Sequence, residues 1–147
     1  MKRLFYLLAA AAFTACGSAT TLSVMTFNMR YDNPEDGADN WRFRRGRVAE
    51  VIASHGVDVF GTQELLANQL GDLKRLLPGY AAVGVGREDG AEAGEFSAVF
   101  YRRDRFTPPE SRTFWLSETP DVAGSKGWDA ARRQSRRNAA ATPFRQL

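Results

Sequence analysis

Residues 57–64 read VDVFGTQE, a run in which Val57, Val59 and Phe60 carry the β-branched and aromatic weight of a buried strand before the chain reaches Gln63 and Glu64. A buried strand ending in a carboxylate is unusual, because an ionised glutamate without a partner is costly to desolvate. Glu64 therefore stands at the strand's exit with water, or it holds a cation. Residues 21–30, TLSVMTFNMR, form a second strand-like run with partial alternation through Leu22, Val24 and the segment 25–27, and it delivers Asn28 near its end. The polar stretch 31–40, with Pro34, Gly37 and four acidic residues, reads as a surface loop where an entrance to a site would lie.

Helical spacing follows. Asn40 can cap a helix over 41–54 whose Val48, Val51 and Ile52 form an apolar stripe, with Gly56 just past its end. Leu66, Leu70, Leu73 and Leu77 mark one face of a second helix over 66–77, stopped by Pro78 and Gly79. Further strands are predicted at 80–85, at 95–101 with Phe96, Ala98 and Phe100 on one face, and at 112–116; residues 86–94 read as a charged loop. Strand, helix, strand, helix, then several strands describe an α/β layered body with helices covering one sheet.

If the first two strands are neighbours, the side-chain oxygens of Asn28 and Glu64 converge. A neutral carbonyl plus one carboxylate, with room for water and a phosphate, is how enzymes acting on phosphate esters hold Mg²⁺.

Residues 22–30, 61–64 and 95–102 (EFSAVFYR) resemble, in order and spacing, the first three motifs of the endonuclease/exonuclease/phosphatase superfamily, the deoxyribonuclease-I-like fold. The continuation Arg30-Tyr31-Asp32-Asn33-Pro34, then Asn40-Trp41, is similar to a bacterial branch of that family. The likeness runs from residue 21 to residue 131. It implies the N-terminal half of a four-layer α/β/β/α sandwich, incomplete at the C-terminus, since the family's whole domain is about 250 residues. It also implies metal-assisted, in-line attack of water on a phosphorus ester. Asn28 would orient the phosphate or a metal-bound water and serve the metal site, Glu64 would hold Mg²⁺ (or Mn²⁺), and Tyr101, closing the third motif, would lie near the phosphate. The plainer reading of Tyr101 is a half-buried strand aromatic. The family's general base is a histidine oriented by an aspartate in a final motif, preceded by Asp-x-Asn and Asn-x-His motifs, and none of these has a match here. His55, the chain's single histidine, precedes the second motif and reads as structural.

Charge changes the picture of the substrate. The chain is formally +3 with a pI near 9.3, which invites a nucleic-acid reading. Setting aside Lys2 and Arg3 and the five arginines from Arg132 onward leaves 13 basic against 17 acidic residues, so the body is at −4. A protein that binds by neutralising phosphates shows the opposite sign, and a small phosphate ester is favoured over nucleic acid. Within the body, Arg42, Arg44, Arg45 and Arg47 crowd the start of the first helix, where they oppose its dipole. They read as a solvated face tied to the acidic loop, with a phosphate-facing arginine among them as the alternative.

The two ends differ from the body. Residues 1–19 have a basic start, an apolar stretch over 4–13 and small residues leading to Cys16, the pattern of an export signal. Cys16 lies where a lipoprotein signal places its acylated residue, which predicts a periplasmic or membrane-anchored lipoprotein; cleavage after Ala19 would give a secreted, soluble product. The unit 20–131 forms the half-domain. Residues 132–147 have no periodicity and no acids, and predict a disordered basic appendage or a shifted reading frame. Two functions are then compatible with the sequence: a divalent-metal-dependent phosphoesterase present as a truncated, inactive chain, or a non-catalytic cell-envelope half-domain that at most binds a cation weakly.

Overall fold

The computed structural model describes residues 21–127, 138–141, 143 and 145–146. The expected export signal and Cys16 lie outside them. Strand β1 (Val24–Asn28) leads through a 3₁₀ segment (Pro34–Asp39) into helix α1 (Trp41–Ser54), and β2 (Val59–Gln63) leads into α2 (Ala67–Leu76). The chain continues as β3 (Tyr80–Val83), β4 (Val99–Arg102), β5 (Phe106–Thr107), β6 (Arg112–Trp115), β7 (Asn138–Ala141) and β8 (Arg145–Gln146). The main sheet has the order β1-β2-β4-β3, with β1 and β2 parallel and the other two pairings antiparallel. Parallel β1 and β2 need a crossover, and α1 supplies it.

The pleat sorts side chains by parity. Met25, Phe27, Phe60, Phe100 and Ala82 face the helices, where Trp41, Val48, Ala49, Ile52, Leu73 and Leu77 complete the core. Phe60 and Phe100 are fully buried and stack with ring centroids 4.6 Å apart. The register places Val24, Thr26 and Asn28 beside Val59, Gly61 and Gln63, and these beside Tyr101, Val99, Ala81 and Val83, all on the opposite face. None of that second set belongs to the core cluster among the described residues.

Helix α1 forms over the predicted residues. The Asn40 side chain accepts from the Arg42 N–H, and Gly56, at φ 56°, takes the left-handed position beyond the helix end. Arg42, Arg45 and Arg47 are exposed, as the solvated-face reading expects, and Arg44 is half-buried against the preceding loop. Arg44 donates to the carbonyls of Met29, Arg30 and Asp39, and Arg45 pairs with Asp72 on α2. These two cations thereby offset their position near the helix start by neutralising carbonyl dipoles or a carboxylate. His55 is structural, its Nδ1 lying 2.7 Å from the Val51 carbonyl.

Several boundaries moved. The strand expected at 95–101 pairs continuously only as Val99–Arg102, with Phe96 making single bridges to Leu65 and Gly86. The tail differs more. Where disorder was expected over 132–147, Asn138–Ala141 pairs with β6 and Arg145–Gln146 pairs with β5. Alanines at 139–141 have little intrinsic strand preference, so the pairing follows from the β6 ladder edge beside them, a context that composition does not reveal.

Candidate functional site

Parallel strands β1 and β2 end side by side, with Asn28 opposite Gln63. Glu64 follows at φ 56°, a left-handed conformation that swings its side chain out of the strand alternation and toward Asn28. The Asn28 Nδ2 donates to Glu64 Oε1 at 3.0 Å, and Asn28 Oδ1 accepts from the Arg30 N–H at 2.8 Å. Arg30 is itself left-handed at φ 53°. Among the described residues these are the only two non-glycine residues with positive φ, a conformation costing about 1–2 kcal/mol for an L-residue. Such strain persists where surrounding contacts over-determine it. Here the Arg30 carbonyl accepts from both Arg44 and the buried Gln69 amide, whose Oε1 also accepts from the Leu66 N–H at the start of α2.

Beyond Asn28, Arg30 makes a two-contact pair with Asp36 at 2.9 and 3.1 Å and lies over the Tyr31 ring. The hydrogen bond from Arg30 holds the Asp36 carboxyl below its ordinary pKa. Burial pulls Arg44 below the ordinary arginine value, since charge is disfavoured away from water. Arg30, Asp36, Asp39 and Arg44 line a cavity of about 500 Å³.

A second pair projects toward the same end of the sheet. Gly86 bridges Phe96, and the Arg87 N–H donates to the Glu95 carbonyl, so the two residues sit opposite each other. Their side chains form an ion pair at 2.7 Å. The Arg87 Nε is buried with no acceptor among the described residues. Sequence reasoning placed Arg87 and Glu95 in a charged loop and at a strand start; the signal that could have found them is an opposite-charge pair bracketing Gly90 and Gly94.

The structure brings Asn28 and Glu64 together, but with the Asn28 amide nitrogen facing the carboxylate, since its oxygen accepts from the Arg30 N–H. Tyr101 is not with them. It pairs with Val59 at the beginning of β2, a strand length from Glu64, or roughly 16 Å at the usual rise. Antiparallel pairing is the reason, since the end of β4 lies beside the start of β2. Tyr101 is instead placed as a buried sheet aromatic beside Val59 and Ala81, away from the Asn28–Glu64 end.

The pair offers one carboxylate, and no cluster of three or more His, Cys, Asp or Glu side chains that could hold a metal occurs among the described residues. Mg²⁺ keeps several waters and takes one or two carboxylates plus substrate oxygens.

The family model of the Endonuclease/Exonuclease/phosphatase family matches residues 25–142, and the chain belongs to that family. An endonuclease/exonuclease/phosphatase from Bacteroides vulgatus is 47% identical, with a TM-score of 0.79 over 82% of this chain and 45% of its own. A mannosyl-6-phosphatase from Bacteroides thetaiotaomicron is 46% identical, with a TM-score of 0.81 over 86% of this chain and 46% of its own. A conserved protein of unknown function from Enterococcus faecalis is 29% identical at a TM-score of 0.76, again over 47% of its length. The mixed α/β fold is thus the family's, and the chain spans less than half the length of these structures. No curated protein matches it.

Proposed function

We propose that this chain carries the cation- and phosphate-orienting part of a divalent-metal-dependent phosphoesterase acting on a small, polyhydroxylated phosphate ester such as a sugar phosphate. The Asn28 to Glu64 hydrogen bond at the ends of adjacent strands carries the reading. Glu64 would hold Mg²⁺ (or Mn²⁺), with Asn28 fixing the carboxylate's orientation and offering its amide to the phosphate. Bound there, the ion would offset charge developing on phosphorus-bound oxygens and lower the pKa of a coordinated water. The cavity beside Arg30 joins two carboxylates and two guanidinium groups, a balanced lining that suits hydroxyl groups better than a polyanion. The acidic body and the similarity to a mannosyl-6-phosphatase support the same substrate class over nucleic acid. Export through residues 1–19, with a lipid anchor at Cys16 or release after Ala19, completes the proposal.

The chain's single histidine is not placed to act as a base at this site. His55 sits at the start of the segment entering β2, at the opposite end of that strand from Glu64, and its ring is committed to the Val51 carbonyl. The chain alone should therefore hydrolyse bis-p-nitrophenyl phosphate no faster than background with Mg²⁺ or Mn²⁺. Titration with Mn²⁺, followed by the electron paramagnetic resonance of the free ion, tests the site itself. Glu64→Gln should weaken binding by at least about tenfold, and Asn28→Ala by about tenfold, the range found for removing an orienting partner. Identical isotherms for the three proteins would remove the basis of the reading.

A further inference from the structure

Charge is unevenly spread over the body of the chain. Helices α1 and α2 carry six cations and two acids, a net +4, within residues 20–131 that sum to −4, so the rest of the body sums to −8. One of those two acids, Asp72, is buried between the helices, and its single carboxylate is shared by Arg45 and Arg75. Arg42, Arg47 and Lys74 are exposed and enter no ion pair among the described residues. Both helices bury their apolar sides against the same face of the main sheet, so the exposed cations belong to one outer layer. Arg42, Arg45 and Arg47 lie in the first two turns of α1, where the helix dipole adds to their positive potential. Two large apolar side chains stand among them. Phe43 is 61% exposed with the Arg42 guanidinium 4.4 Å over its ring, and Leu76, next to Arg75, is 44% exposed.

We propose that the outer side of the α1–α2 layer is a docking surface for an anionic lipid bilayer. The chemistry of the patch selects that partner. Lysine and arginine gain from the negative potential of acidic headgroups, and aromatic and leucine side chains beside them enter the boundary between headgroups and acyl chains. A nucleic-acid backbone would take the cations but offers Leu76 no apolar phase to enter. The acidic remainder of the body sets the orientation. With −8 outside the two helices, an anionic plane repels the other surfaces and attracts this one, over a screening length of about 10 Å. Docking would hold the body against the leaflet with or without an acyl chain at Cys16. The patch shares no residue with the Asn28–Glu64 pair, so it would bind whether or not that pair holds a metal.

The test is co-sedimentation of the purified full chain, carrying Cys16→Ser to exclude acylation, with phosphatidylglycerol–phosphatidylcholine vesicles and with vesicles of phosphatidylcholine alone. Binding should require phosphatidylglycerol and weaken as salt is added. Each cation near the surface strengthens binding about fivefold, so Arg42→Gln, Arg47→Gln and Lys74→Gln together should weaken it about a hundredfold. Phe43→Ser should weaken it about tenfold and leave the salt dependence in place. All four side chains are exposed, and the variants should melt like the parent. A second reading comes from Phe43→Cys in the Cys16→Ser background, where a polarity-sensitive dye should brighten and shift to the blue on vesicles containing phosphatidylglycerol. Equal binding to both vesicle types, or none to either, would overturn the proposal. So would a triple variant that binds as tightly as the parent, since the apolar residues 4–13 would then carry the binding. Tighter binding to a DNA duplex than to vesicles, undiminished in Phe43→Ser, would overturn it as well and assign the patch to a nucleic-acid backbone.

Discussion

Glu64 and Arg30 share an unusual backbone conformation on either side of one hydrogen bond, and the two positions make different demands on a substitute. At φ 56°, glycine relieves the steric cost of a Cβ but loses more conformational entropy on folding, so the two effects nearly cancel. A β-branched residue meets the steric cost with no relief. Glu64→Gly should therefore leave Tm within a few degrees of the parent while abolishing the Mn²⁺ response, and Glu64→Val should be less stable than Glu64→Gly by about 1–2 kcal/mol. Thermal melts of the two variants side by side check this. Equal stability would mean that the left-handed turn is not strained.

Among the elements, α1 and α2 are joined through one carboxylate. Asp72 is buried on α2, accepts from the Trp41 Nε1 at 2.8 Å, and also pairs with Arg45 and Arg75. Trp41 is the first residue of α1, so the contact fixes that helix's start against its neighbour. Asp72→Ala would strand a buried indole N–H and cost about 1–3 kcal/mol. Leu73→Ala, next in sequence but facing the core at 0% exposure, should cost more, about 2–5 kcal/mol. Urea denaturation of both variants gives the order; an Asp72→Ala variant as stable as the parent would show that water takes over the indole's bond.

For the whole molecule, acid is the informative stress. The Ser23 N–H, opposed by burial and assisted by Arg105, holds the Asp58 carboxyl below its usual range. Burial pushes Asp72 up, but hydrogen bonds from Trp41 and Arg45 outweigh it and leave that carboxyl depressed as well. A folded-state pKa below the unfolded value contributes stability that is present above the unfolded value and lost as pH falls through the folded one. Tm should accordingly hold steady from neutral pH down to about pH 4, near the unfolded carboxylate value, and decline below it. Circular dichroism melts across that range measure the slope. The double variant Asp58→Asn, Asp72→Asn should start lower at neutral pH and fall less; an unchanged acid slope would place the sensitivity in other carboxylates.

Much of this architecture could be read from the chain because its determinants are local. Asn40 before an apolar helical period and Gly56 after it are sufficient to bound α1, and β-branched runs closing on Asn28 and Glu64 are sufficient to place both at strand ends. Whether those ends met was not a local matter. It required β1 and β2 to be parallel neighbours, which the α1 crossover imposes. Tyr101 shows the converse: its motif is legible, but antiparallel pairing carries it to the far end of β2. Pairing direction also brought Arg87 opposite Glu95 and recruited residues 138–141 beside β6. Helix caps and alternation depend on neighbours a few residues away, and the sequence determined them alone. Register, strand order and which side chains share the helix-facing side of the sheet depend on contacts between residues far apart in the chain, and only the tertiary structure decided those.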